Sequence, residues 1–170
     1  MADTIKTIKC PACDREMRKI YMPEQNINID VCVDGCGGIY FDNREFKHFD
    51  EKHENIDKIT DALEGKTFIE VDETKTRICP VCGQNMVKNF SSCRHEIEID
   101  ECYFCGGKFL DNKELVKFRA EYETEADRSA DMIASVYSTV GVEMKKLDER
   151  NAYHEMTRSP LQRLFRRLMR

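Results

Sequence analysis

One cysteine pattern, written twice, constrains this chain more than any other feature. Cys10-Pro11-Ala12-Cys13 recurs 69 residues later as Cys79-Pro80-Val81-Cys82, and Met17 maps to Met86 at the same offset. Asn28-Ile29-Asp30-Val31-Cys32 matches Glu98-Ile99-Asp100-Glu101-Cys102 at offset 70. Cys36-Gly37-Gly38-Ile39-Tyr40-Phe41-Asp42-Asn43-Arg44-Glu45 then matches Cys105-Gly106-Gly107-Lys108-Phe109-Leu110-Asp111-Asn112-Lys113-Glu114, again at offset 69. Cys32 and Cys36 are separated by three residues where Cys102 and Cys105 are separated by two. These are two copies of one module, and an internal repeat of this period organises the whole reading.

Each copy holds two short-spaced Cys pairs about 20 residues apart. In an oxidising compartment such cysteines form disulfides, whereas in a reducing one clustered thiols read as metal ligands. Short-spaced pairs let backbone amides point at thiolate sulfurs, and two such knuckles complete a tetrahedral four-sulfur site. Zinc fits that donor set best, with iron as the alternative for tetrahedral sulfur. With all four positions filled by Cys, no place is left for water or substrate, which is the pattern of a structural site. The ligand sets are Cys10, Cys13, Cys32 and Cys36, then Cys79, Cys82, Cys102 and Cys105, for two Zn²⁺ per chain. Modules this small bury too little apolar surface to fold unaided and need such a staple. A redox CxxC reading needs a βαβ pattern, which the sequence lacks.

Between the pairs, Ile27, Ile29 and Val31 alternate, as do Ile97 and Ile99, the period of a half-buried strand. Pro23-Glu24-Gln25-Asn26 supplies turn residues for a hairpin, and Gly37 and Gly106 sit where a knuckle needs positive φ. CPxC, a β-hairpin, a second Cys pair with Gly-Gly, then aromatic-apolar-Asp-x-x-Glu together resemble the bacterial transcription-factor-IIB-like zinc ribbon. The resemblance covers residues 10–46 and 79–115, under half of the chain. The family pattern usually has Trp where this chain has Tyr40 and Phe109, and Gly where it has Asn43 and Asn112. It implies a small metal-stapled α+β fold: two tandem zinc ribbons, each a β-hairpin plus knuckles followed by a helix. It implies the same eight ligands, and its link to transcription is an analogy at the level of fold.

Asp42-x-x-Glu45 and Asp111-x-x-Glu114 read as capping boxes with Asp at the N-cap. The first predicts a helix over about 43–63, with Phe46, Phe49, His53, Ile56, Thr60 and Leu63 on one face and Gly65 at its end. His48 and His53 fall in this helix as ordinary helix histidines, since Cys already supplies every ligand. The segment 66–78 carries strand-like alternation at Phe68, Ile69 and Val71, to pair with a ribbon or connect the two. The second helix is expected to run from 112 to about 156, with Gly141 as a candidate break. Its apolar positions Ala126, Ala130, Ile133, Tyr137, Val140, Met144 and Leu147 step by fours and threes, a coiled-coil pattern. A ribbon cannot cover such a stripe, so it predicts homo-oligomerisation or an intramolecular hairpin. The resulting division is 1–65, 66–111 with a linker strand and the second ribbon, 112–157, and a tail 158–170.

Charge is uneven. The chain carries −5 overall, yet residues 158–170 hold five Arg and no acid, leaving 22 basic against 32 acidic residues in the rest. An acidic body is a poor sequence-independent phosphate binder. The tail opposes Leu161, Leu164, Phe165 and Leu168 to Arg163, Arg166, Arg167 and Arg170, a basic amphipathic face. Such a face suits phosphates, an acidic protein groove or an anionic membrane surface, or docks on the chain's own acidic body. Cys93, beside Arg94 and His95, stands apart from both sets and reads as a surface thiol or a redox switch. No apolar run approaches the ~18 residues of a bilayer span. The N-terminus has no signal-peptide pattern, so a cytoplasmic location is expected. No Ser/His/Asp, paired-carboxylate or Gly-rich phosphate-loop arrangement stands out, so no enzyme is expected. The function expected is a zinc-binding interaction protein, transcription- or nucleic-acid-associated. The alternatives are a protein or membrane-surface adaptor and a rubredoxin-like iron protein.

Overall fold

The computed structural model describes residues 6–157, with side chains described through Tyr153. The chain divides into two compact units, Met1–Arg128 and Ser129–Arg170.

In the first unit both copies contribute three strands to one antiparallel sheet. Copy one gives β1 (Arg18–Met22), β2 (Ile27–Val31) and β3 (Ile39–Phe41); copy two gives β4 (Val87–Phe90), β5 (Glu98–Glu101) and β6 (Lys108–Leu110). The order is β1-β2-β3-β6-β5-β4, so the copies join through their third strands. Tyr40 stands opposite Phe109, its own counterpart in the repeat, with Ile39 opposite Leu110 and Phe41 opposite Lys108. The repeat is therefore folded about a local two-fold axis through the β3–β6 pair.

The central strands are buried on both faces, and alternation sorts their side chains. Ile39, Phe41 and Leu110 join Met22, Ile29, Val31, Ile97, Ile99, Phe46, Phe49, Leu115 and Phe118 in one apolar core. Tyr40 and Phe109 join Met17, Met86 and the cysteines of both copies in a second. Both cysteine groups thus share one cluster, separated by the period of the strands from the core that the helices cover.

A helix follows each ribbon and the helical segment after the second is long, as expected, but neither runs unbroken over its expected range. In place of a helix over 43–63 there is a 3₁₀ turn at Phe46–His48, an irregular stretch, and α1 at Asp57–Leu63. The guanidinium of Arg119 explains the interruption. It donates to the carbonyls of Phe49 (2.7 Å), Lys52 (3.1 Å) and Glu54 (2.6 Å), satisfying acceptors that a continuous helix would use itself. Asn55 Oδ1 then accepts the Asp57 amide at 2.9 Å and starts α1 afresh. The expected capping boxes are half formed: Glu45 and Glu114 accept the amides of Asp42 and Asp111, while the N-cap positions fall at Glu45 and Lys113 rather than at either Asp.

The second helix also breaks, at 122–124, giving α2 (Glu114–Glu121) and α3 (Glu125–Thr157). Tyr122 is extended, at φ −134 and ψ 157. Thr124 and Asp127 form a reciprocal cap, the Thr124 amide on Asp127 (3.2 Å) and the Asp127 amide on Thr124 Oγ1 (3.2 Å). Arg128 locks the corner, donating to Glu121 (2.8 Å) and the Phe118 carbonyl (2.9 Å), with its guanidinium 3.6 Å from the Phe118 ring centroid. Gly141, a candidate break, lies inside α3. The linker forms no strand either; Ile69 donates one backbone hydrogen bond to the Gly35 carbonyl at 3.1 Å.

In the second unit, residues 129–157 are helical. The stripe of Ile133 (56%), Tyr137 (75%), Val140 (49%), Met144 (59%) and Leu147 (44%) is solvent-exposed. No helix among the described residues is long and apolar enough to cross a membrane.

Candidate metal centres

The structure brings the eight repeat cysteines into two groups of four. Within each, Cys10–Cys13–Cys32–Cys36 and Cys79–Cys82–Cys102–Cys105, all sulfurs lie within 4.8 Å of one another. The tighter separations are 3.4 Å for Cys10–Cys36 and Cys13–Cys32, 3.5 Å for Cys79–Cys105 and 3.3 Å for Cys82–Cys102. A disulfide needs about 2.05 Å, so none of these is one. A tetrahedral zinc with bonds of ~2.3 Å sets sulfurs about 3.8 Å apart, so a small outward adjustment admits the ion.

Knuckle geometry follows from the backbone. The amides of Ala12, Cys36 and Gly38 point at the sulfurs of Cys10, Cys32 and Cys36. Those of Gln84, Phe104 and Cys105, and Gly107 serve Cys82, Cys102 and Cys105. Gly37 and Gly106 adopt φ +77° and +82°, the left-handed conformation the knuckle requires. The extra residue of the first copy is absorbed without disturbing this: the Cys32 carbonyl accepts from both Gly35 (3.4 Å) and Gly37 (3.0 Å).

The chemistry of the donor set fits a cation. The Cys10 thiol is pushed far up by its hydrogen bond with Cys32, which is correspondingly held low. Burial raises Cys102, yet the Cys105 amide and the Cys82 thiol more than offset it and bring it to about 7. Burial and Cys79 push Cys105 up to about 12. Four crowded thiols cannot all ionise unaided, because each new thiolate repels the last. A divalent ion at the centre removes that penalty, and each group could hold one.

A family model described as a transcription factor zinc-finger, Zn_ribbon_TFIIB, matches residues 9–51 and again residues 78–121, together just over half the chain. The chain belongs to this family. Searches of curated proteins and of solved structures find no match.

The zinc ribbons are interlocked in a way the repeat did not announce. Tyr40 of ribbon one reaches ribbon two, its hydroxyl 3.3 Å from Cys79 Sγ and 3.9 Å from Cys105 Sγ. Burial, then Cys79, raise its pKa far above the ordinary value, so it stays a neutral phenol able to donate to sulfur. A Cβ added at Gly107 would lie 2.0 Å from the Tyr40 hydroxyl, and one at Gly38 would lie 2.3 Å from the Phe109 ring. Each ribbon's aromatic thus covers the second glycine of the other's knuckle. Asn43 lies against Gly106 and Asn112 against Gly37 in the same reciprocal way. The positions where the chain departs from the family pattern are therefore those that cross the local two-fold axis. Ile39-Tyr40-Phe41, an unbroken apolar run, was the available signal for a strand buried on both faces.

His48 and His53 are exposed and outside both cysteine groups. Cys93 is half-buried near Arg94 and is likewise outside them. Arg77, which sequence reasoning passed over, is 2% exposed; it binds Asp100 (2.7 Å) and Asp111 and lies over the Phe109 ring. Leu161, Arg163, Leu164, Phe165, Arg166, Arg167, Leu168 and Arg170 lie outside the described residues.

Proposed function

We propose that this protein is a non-enzymatic interaction module of the cytoplasm, held together by two structural zinc ions. Cys10, Cys13, Cys32 and Cys36 ligate one; Cys79, Cys82, Cys102 and Cys105 ligate the other. The observation that carries this reading is the pair of four-thiol groups set in one buried cluster on a single sheet. Bound zinc supplies cross-links between the knuckles, on the order of 10–16 kcal/mol of folding free energy in structural sites. With sulfur in every position it offers no open coordination for a reaction. Iron in the same sites is the alternative, and red protein with visible absorption would favour it.

The helix 129–157 pairs with a second copy through the exposed Ile133–Leu147 stripe, in keeping with its steps of three and four. The Arg-rich tail makes the outward contact. The family's description favours a nucleic-acid or transcription-associated partner; the Leu face of the tail favours a protein or membrane surface instead. Binding of full-length and 1–157 protein to labelled DNA and RNA across a salt series separates these. The tail reading expects binding in the full chain alone, with a log–log slope up to about −0.9 per neutralised phosphate. No binding by either protein at low salt contradicts the nucleic-acid reading.

A further inference from the structure

The local two-fold axis relates the two second knuckles, and the chain covers one of them while leaving the other open. At ribbon one the linker lies across the knuckle. Lys66 Nζ binds Asp34 at 3.1 Å, and the Ile69 amide donates to the Gly35 carbonyl at 3.1 Å. The Phe68 ring packs against Gly37, 2.9–3.0 Å from where a Cβ would stand.

At ribbon two the corresponding knuckle is Cys102-Tyr103-Phe104-Cys105-Gly106. Tyr103 is 71% and Phe104 78% exposed, in a loop whose Phe104 and Cys105 amides point at the Cys102 sulfur. Among the described residues no backbone amide reaches the Phe104 carbonyl, the counterpart of Gly35. Beside Gly106, where ribbon one has the Phe68 ring beside Gly37, there is a cavity of about 620 Å³ whose lining includes Phe46 and Phe118, with the Lys108 ammonium over the Phe46 ring and the Arg128 guanidinium over the Phe118 ring. Its exposed rim carries Arg44 and Lys47, neither in an ion pair among the described residues. Asp42, Asp50 and Glu101 are half-buried, and Glu125 is paired with Arg128.

We propose that the second knuckle of ribbon two docks an extended peptide from a partner protein, bearing an aromatic residue flanked by acidic ones. The strap on ribbon one is its internal template. The aromatic enters the cavity beside Gly106, a backbone amide meets the Phe104 carbonyl, and the acids face Arg44 and Lys47. Tyr103 and Phe104 supply the apolar contact, as exposed aromatics do at protein interfaces. This deepens the interaction-module reading and rests on it.

The probe is a fluorescent peptide of residues 64–73, Glu-Gly-Lys-Thr-Phe-Ile-Glu-Val-Asp-Glu, titrated with zinc-loaded full-length protein. Saturable binding is expected, weakened about tenfold or more by Phe104→Asp in the protein or Phe68→Ala in the peptide. Tyr21→Asp, at an exposed aromatic on β1, should leave it unchanged. Zinc content is measured on every sample. Protein holding two zincs yet binding no peptide, or binding it equally well with Phe104→Asp, overturns the inference and leaves the metal reading standing. So does binding of oligothymidine in place of peptide through Phe104. Protein that folds without zinc overturns the metal reading instead.

Discussion

At the scale of single residues, the sites are built from two kinds of constraint, and the sequence displayed only one of them openly. Thiol spacing singled out the eight cysteines that the fold gathers into two groups of four, each able to hold a metal ion. The second glycine of each knuckle was harder to read, since its role depends on an aromatic from the other copy. Gly107→Ala would set a methyl 2.0 Å from the Tyr40 hydroxyl, inside a cluster where Tyr40 is 1% exposed and has nowhere to move. The expected loss is about 1–3 kcal/mol, the usual cost of overpacking, read as a lower urea midpoint at unchanged zinc content. Removing the ring as well, in the Gly107→Ala/Tyr40→Ala pair, should give a non-additive result; strict additivity would show that the two residues do not press on each other.

At the scale of elements, periodicity found the apolar faces and missed the corners. Phe46, Phe49, Phe118 and Tyr122 are buried as their spacing promised, yet both predicted helices are interrupted. In each case the interruption is made by an arginine distant in sequence or by a cap that the apolar pattern does not reveal. Arg119 takes the carbonyls of Phe49, Lys52 and Glu54; Arg128 closes the turn at 122–124. Thr124-x-x-Asp127 and Asn55-x-Asp57 were the local signs of a fresh start. Arg128 and Glu121 side chains are 5% and 3% exposed, so removing the cation strands a buried carboxylate. Arg128→Ala should therefore destabilise the first unit by about 3 kcal/mol. Glu121→Gln, which leaves no buried unpaired anion, should cost less; the reverse order in chemical denaturation would contradict this account of the corner.

At the scale of the whole molecule, the tandem repeat is a fused pair rather than two beads. Two modules were legible from the repeat. Their joining was not, because strand pairing between copies leaves no signature except an apolar run too continuous for a half-exposed edge. The joining has a consequence for the separated parts. A zinc-loaded fragment of residues 1–75 bares β3, and the two-fold relation of β3 to β6 lets two such fragments pair strand to strand, Tyr40 opposite Tyr40. Light scattering should find the fragment dimeric, whereas a stable monomer would show that the β3–β6 seam contributes little.

Everything rests on each of the two sulfur sites holding a zinc ion. Native mass spectrometry of the full-length protein, expressed without added metal, tests that most directly. The account predicts two zinc ions per chain, falling to one in Cys79→Ser or Cys10→Ser with the remaining site intact. A chain that carries iron, or one that stays folded with no metal at all, would contradict it.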